Sequence, residues 1–528
     1  MAGGGWLVVV GGWLLVGGCV DVGDGGGGVV EAANEDWGVS MMTAEVLLQD
    51  GVFWAIVSGV LLIWTWGIRL GMLFWVPMRR SAEAARSWLL LVFFLPTAGV
   101  ILYWLIGRAE MPRWRRRRIR QLQRRLEPLS ERILGRPEIR GEEVDAAVLP
   151  AAQLASRLGR LPILDGNRVE LLSDYRGALT RLAADIDRAE RHVHLLYYIL
   201  GSDEWTRPII DAVLRAAARG VCCRILVDAY GSRQLISKLK EDLRSGGERV
   251  ELRQVLQTGL FSRSGIRGDL RNHRKLAVID GRVGYTGSQN LIRADFRPGV
   301  QYEELVVRIC GPVVLELQYV FCCDWLLETD EMLDRPEIFP EPVLAGDMAA
   351  QVLPSGPSWT PLCVQRIVVQ LIHLAQQRVV VTTPYFIPDE SLLQALQTAA
   401  LRGVEVRLLV SEEEEQVLVS RAQQSWYEEL LECGVRIHLF RRHFLHAKHI
   451  TIDDRVSLVG SCNMDIRSFV LNAEVSLLIY DSELTSQLQR VQAADLGRSR
   501  ELGLLEWRGR GAAVRFVQNL CRLLSPVL

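Results

Sequence analysis

The stretch His273-Arg274-Lys275-Leu276-Ala277-Val278-Ile279-Asp280-Gly281-Arg282-Val283-Gly284-Tyr285-Thr286-Gly287-Ser288-Gln289-Asn290 returns at His446, Lys448, Asp453, Gly460, Ser461 and Asn463 as the same pattern, His-x-Lys-x4-Asp-x6-Gly-Ser-x-Asn. With only 8 His and four Lys in 528 residues, roughly 0.06 His-x-Lys pairs are expected by chance, before the Asp, Gly, Ser and Asn are required. Each copy reads as a β-hairpin. Alternation along 272–279 puts His273 and Lys275 on one face of a strand, as it does His446 and Lys448 on theirs. Asp280-Gly281 and Asp453-Asp454 make the turns. The returning strands, 282–286 and 455–459, end at Gly-Ser, where backbone N–H groups and a hydroxyl can face an anion.

Outward from the hairpins the repeat continues, with a period of about 180 residues. Segment 195–199 corresponds to 383–387, and 219–227 to 402–410. Between these anchors lie amphipathic helical patterns, 207–219 and 391–402, each closed by a glycine. Strand, helix and strand alternate in each half, which predicts an α/β fold of two pseudosymmetric lobes, a central mixed sheet flanked by helices, over 169–350 and 351–528.

The first hundred residues are of another kind. Segments 52–76 and 88–106 are apolar runs near the ~20 residues that cross a bilayer, rich in Trp toward their ends. They predict a membrane hairpin within 41–110. Arg79, Arg80 and Arg86 lie in the connection, whereas Arg113, Arg115 to Arg118, Arg120, Arg124 and Arg125 crowd the following segment, which predicts a cytoplasmic body. That linker, 111–168, begins with a basic run suited to anionic headgroups. Residues 1–40 read as a low-complexity or signal-like extension. Formal net charge is −1, so no global field favours nucleic acid. The ten cysteines show no zinc-ligand spacing, and no metal or cofactor is expected.

A histidine beside a lysine suits a phosphodiester. The ammonium neutralises non-bridging oxygens while the imidazole attacks phosphorus or protonates a departing alkoxide. In-line displacement needs one histidine on each side of phosphorus, and two lobes about a pseudo-twofold axis supply them. His192, His194, His373 and His438 read as packing or surface residues, and the acidic run Glu412 to Glu415 as a solvated loop.

Through the paired motifs, the 271–275 context, the segments 460–468 and 472–474 and the membrane hairpin, the chain resembles the phospholipase D superfamily and, within it, the bacterial cardiolipin synthases. The resemblance implies a multi-pass protein of the bacterial inner membrane that acts on anionic phospholipids. Two phosphatidylglycerols would give cardiolipin and glycerol through a phosphohistidine, without metal. It implies His273 as nucleophile and His446 as general acid and then base, with the reverse open. Lys275, Lys448, Asn290 and Asn463, with Ser288 and Ser461, would hold phosphate oxygens, and Glu304 and Glu474 would orient the histidines. Asp280 and Asp453 belong to the signature but read as braces of their turns. Tyr302-Glu303-Glu304 departs from the family pattern, which leaves the partner of His273 open between the two glutamates. A hydrolytic phospholipase D is the nearest alternative and a nuclease a more distant one. Oligomeric state and the choice between phosphatidylglycerol and phosphatidylethanolamine as second substrate are not legible.

Overall fold

A computed structural model describes residues 8–10, 13–15, 40–107 except 81, 113–134, 144–257, and 269–523 except 414. The chain divides into two compact units, 1–67 and 68–528. Most of the extension expected over 1–40 lies outside the described residues.

Helix Ser40–Trp75 contains one segment, Val52–Trp75, long and apolar enough to cross a membrane. The second expected span is not continuous. It forms helix Ala82–Phe94, a break at Leu95, helix Pro96–Leu102 and a π-turn at Tyr103–Gly107. Pro96 carries no N–H and biases the preceding residue away from helical backbone, and Leu95 accordingly sits at φ −128°, ψ 72°. The two short helices fold onto each other: a Cβ on Gly99 would come within 2.9 Å of the Val92 Cα, and Trp88 meets Tyr103 edge-on at 5.4 Å. At ~1.5 Å per residue, Ala82–Phe94 reaches about 20 Å, short of the ~30 Å hydrocarbon core.

The basic helix Arg113–Leu134 is docked on the body rather than left to headgroups alone. Arg115 is buried against Glu328, Arg118 pairs with Asp330, and Leu122 enters the main core. These partners lie on or just beyond helix Val314–Thr329, itself almost wholly buried beneath the sheet.

A single 15-stranded mixed sheet organises the rest. From one edge inward run Val250–Val255, Cys222–Asp228, His192–Tyr197, Lys275–Ile279, Val283–Gly287, Val306–Cys310 and Leu164–Leu172. From the other edge, inside Ser499–Glu501, run Arg436–Phe440, Glu405–Ser411, Arg378–Thr382, His449–Ile452, Val456–Gly460, Glu474–Tyr480 and Met348–Ser355. Position by position the pairing senses agree: two parallel pairs, then four antiparallel ones. Leu164–Leu172 and Met348–Ser355 join the halves antiparallel. One core runs beneath both, with Leu276 and Val278 from one half and Val475 and Leu477 from the other packed around Phe321 and Trp325. The helices that connect parallel strands cover the sheet, so the strand ends facing the centre are left to the loops that carry the motifs.

Candidate active site

Both hairpins turn as their sequences require. Asp280 and Gly281 have φ of 54° and 63°, and Asp453 has 49°. The Asp280 carboxylate accepts the backbone N–H groups of Glu190, Arg191 and His192 at 2.8 Å. Asp453 does the same for Gln376, Gln377 and Arg378. Each aspartate therefore ties its hairpin to the start of the neighbouring strand, at the sheet end remote from the histidines.

At the other end of each hairpin the chain crosses between halves. The His273 N–H donates to Ala473 O at 2.8 Å, and its Nδ1 lies 3.0 Å from both oxygens of the next residue, Glu474. In the mirrored arrangement the His446 N–H donates to Glu303 O at 2.8 Å, and its Nδ1 lies 2.7 Å from the next residue, Glu304. The partner of His273 is thus neither Glu303 nor Glu304 but a glutamate of the other half. Glu303 instead meets His443 at 2.7 Å and Arg498 at 3.0 Å. His273 also stands before its strand, which begins at Lys275, and Asn272 bridges to Ala473. Inter-half pairing, rather than the hairpin, sets its backbone.

The serines take a different place from the one expected. Ser288 Oγ accepts the Leu305 N–H at 3.0 Å, and Ser461 Oγ accepts the Val475 N–H at 3.0 Å and donates to Glu474 at 2.6 Å. Both are fully buried behind the glutamates and are absent from the cavity lining. Their hydroxyls find backbone groups of the next strand before any ligand can reach them.

Between the two histidines opens a cavity of about 510 Å³ lined by His273, His446, Asn290, Asn463, Tyr198 and Tyr385, with Arg271, Arg297 and Arg467. Asn290 commits its Oδ1 to the Ile199 N–H at 3.2 Å, which leaves its amide NH2 for an anion. Lys275 Nζ donates to His273 O at 2.8 Å, and Lys448 to His446 O. Burial lowers both ammonium groups, Lys275 to about 7 and Lys448 to about 8, against the pull of Glu474 and Glu304. Burial also lowers His273 to about 4, helped by the two lysines and opposed by Glu474. His446 is lowered by burial too, helped by Lys448 and opposed by Glu304 and Glu415. Burial works to raise Glu474 and Glu304, yet the facing histidines and lysines hold both below the ordinary range. Each carboxylate therefore stays ionised and fixes its imidazole with Nδ1–H toward it, which leaves Nε2 as the reactive nitrogen.

Two further residues contribute. Glu415, which composition reads as part of a solvated loop and the resemblance puts near the site mouth, is held across the halves by Arg297 and Tyr302, the latter at 2.9 Å, and within its own half by Tyr385. Arg274, just before the strand that begins at Lys275, turns away from the cavity and holds Glu474 O at 3.0 Å and Ser355 O at 2.9 Å while paired with Asp324. An arginine between the His and Lys of the motif was the available signal. Of the remaining histidines, His192 and His194 share Gln318 at 3.1 Å away from the cavity.

The profile described as "Cardiolipin synthase, PLD-like domain" matches residues 182–325 and 368–495. Cardiolipin synthase A of Proteus mirabilis (strain HI4320) is 32% identical over 486 residues, 90% of this chain and 99% of that protein. Cardiolipin synthase A of Pectobacterium carotovorum subsp. carotovorum (strain PC1) is likewise 32% identical over 486 residues, with the same coverage. The crystal structure of phosphatidylserine synthase from Haemophilus influenzae Rd KW20 superimposes with a TM-score of 0.55 at 18% identity, over 72% of this chain and 100% of that one, a likeness of fold.

Proposed function

The chain belongs to the cardiolipin synthase family of phospholipase D-like phosphatidyltransferases, and we propose that its two halves form pseudosymmetric lobes, 169–350 and 351–528, that share one active site. The repeated strand order and pairing sense support the two-lobe reading. The observation that carries the shared site is the pair of His–Glu contacts, each made between halves, on one cavity.

The reaction is phosphatidyl transfer from one phosphatidylglycerol to another, giving cardiolipin and glycerol. In the proposed sequence, Nε2 of His273 attacks phosphorus while His446 protonates the departing glycerol oxygen, so a P–N bond replaces a P–O bond. His446 then takes the proton of the incoming lipid hydroxyl, whose oxygen attacks phosphorus and releases His273. The surroundings favour this assignment over its reverse: burial lowers both histidines, but two ammonium groups and one carboxylate act on His273, whereas one ammonium group and two carboxylates act on His446. An anionic phosphodiester entering the cavity adds to that preference. Asn290 and Asn463, in the cavity lining, would contact the non-bridging oxygens, while buried Lys275 and Lys448, each on the backbone oxygen of its histidine, offset their charge from behind the lining; Glu474 and Glu304 orient the imidazoles, and Ser461 and Ser288 orient the glutamates. Asp280 and Asp453 serve the site by fixing its hairpins.

Segment Val52–Trp75 is proposed to anchor the protein in the bacterial inner membrane, with the bent segment 82–107 entering the same bilayer and the body on the cytoplasmic face. Anionic phospholipid is both substrate and surroundings. Incubating membranes that hold the protein with labelled phosphatidylglycerol, with and without phosphatidylethanolamine, tests the reading: labelled cardiolipin and free glycerol are expected, and phosphatidic acid as the sole product would make the protein a hydrolase.

A further inference from the structure

Helix Ala512–Leu523 is apolar on two faces. Its inner face is accounted for: Cys521 packs with Ile387, Val419 and Ala422, and Gln518 donates to Gln424 at 2.9 Å. On the opposite face Phe516, Leu520 and Leu523 recur at i, i+4 and i+7, and they are 68%, 52% and 70% exposed. Apart from buried Gln518, the polar groups form a strip of Arg515, Asn519 and Arg522 beside the outer face, whereas a helix that only covers a core has a polar outer face. The helix it packs against, Val417–Gln424, adds Val417 and Leu418 at 60% and 54% exposure.

The position of this surface says what covers it. Gln416 and Val419 line the cavity, so Val417 and Leu418 stand at its rim. The cavity, about 510 Å³, is lined mainly by charged and polar groups, with Ile199, Phe296, Ile387 and Val419 as apolar patches; it suits phosphate and glycerol but does not hold whole acyl chains, which need an apolar medium outside it. We propose that the outer face of helices Val417–Gln424 and Ala512–Leu523 is a membrane-docking surface that sits in the interface of an anionic bilayer and opens the cavity onto the leaflet. Phe516, Leu520 and Leu523 enter the acyl boundary, and exposed Arg515 meets the headgroups. The inference rests on the reading that the cavity takes phospholipid headgroups.

The test uses the full chain reconstituted in phosphatidylglycerol-containing vesicles, with the photo-crosslinking residue p-benzoylphenylalanine in place of Phe516 or, as control, of Leu401. Leu401 is 71% exposed at the C-terminal end of helix Glu390–Leu401 and lies outside the cavity lining. Lipid adducts at 516 are expected to exceed those at 401 by about tenfold; equal yields, or a crosslink to a second copy of the chain, would overturn the proposal. In a second arm, Phe516→Glu with Leu520→Glu should lower turnover on vesicles about fivefold or more with an unchanged unfolding temperature, and leave turnover in detergent–lipid micelles within about twofold. Equal loss in both media would also overturn it. A chain that gives the 516 adduct yet makes no cardiolipin when unsubstituted would refute the site reading and uphold the surface.

Discussion

At the scale of single residues the site is a balance between burial and opposed charges. In the proposed reaction Lys275 and Lys448, lowered by burial to about 7 and about 8, carry their protons to offset the phosphate's charge. In the free enzyme the proton of His446, held below the ordinary imidazole value of 6.5 by burial, is lost first and the ammonium groups follow, so kcat/KM should already decline below pH 6.5 and steepen through about pH 7–8, whereas a bound phosphate stabilises both cations and shifts the alkaline limb of kcat upward. His273, lowered to about 4, stays neutral through this range and sets only the acid limb. Profiles of both parameters in detergent–lipid micelles check this, and a kcat/KM flat to pH 9.5 would contradict it. The carboxylates make a second prediction. Glu474→Gln keeps the shape but loses the charge that holds His273, and should lower kcat by roughly 10²-fold or more. Glu303→Gln, whose carboxylate faces His443 and Arg498 instead, should lower it far less. Comparable losses in both variants would argue against the pairing.

At the scale of elements, the Gly-Ser at the end of each hairpin is where two strands come closest. Gly287 has φ +147°, and a Cβ there would lie 2.3 Å from Leu305 O; at Gly460 it would lie 2.5 Å from Val475 O. Gly287→Ala must push Leu305 away, and with it Ser288 and Glu304. A loss of ~1–3 kcal/mol in stability and a larger fractional loss of activity are expected in denaturant titrations and assays run together; an active, fully stable variant would show that the approach is looser. The hairpins, their aspartate turns and the alternation of strands and helices were legible because each depends on local pattern. Cross-pairing of His273 with Glu474 was not, since it depends on two loops 201 residues apart meeting between halves. The serines misled for a related reason: a Gly-Ser that looks open in one hairpin is closed by the strand beyond it. Pro96 was a readable signal in the second apolar run, but the absence of charge there outweighed it.

Across the whole molecule, the body stays with the arginine-rich helix that docks on it through Arg115 and Leu122. Protease added to intact spheroplasts should therefore spare the body, and protease added to inverted vesicles should cleave it; cleavage from outside would reverse the topology. Removing 1–107 should leave a folded body, because the core and site are built from later residues. In the proposed enzyme the two halves make one site, in which His273 takes the phosphatidyl group and His446 releases it. The direct measurement is covalent label per chain, taken with phosphorus-labelled phosphatidylglycerol, quenched in alkaline detergent and located by mass spectrometry of peptides. The wild-type chain quenched during turnover should carry up to one label, on His273; His446→Asn, which lacks the acid of the first step and the base of the second, should both form and lose that label slowly, and His273→Asn should accumulate none. Label on His446 in the second variant would reverse the roles, and a wild-type chain that carries two labels, one on each histidine, would contradict a single shared site.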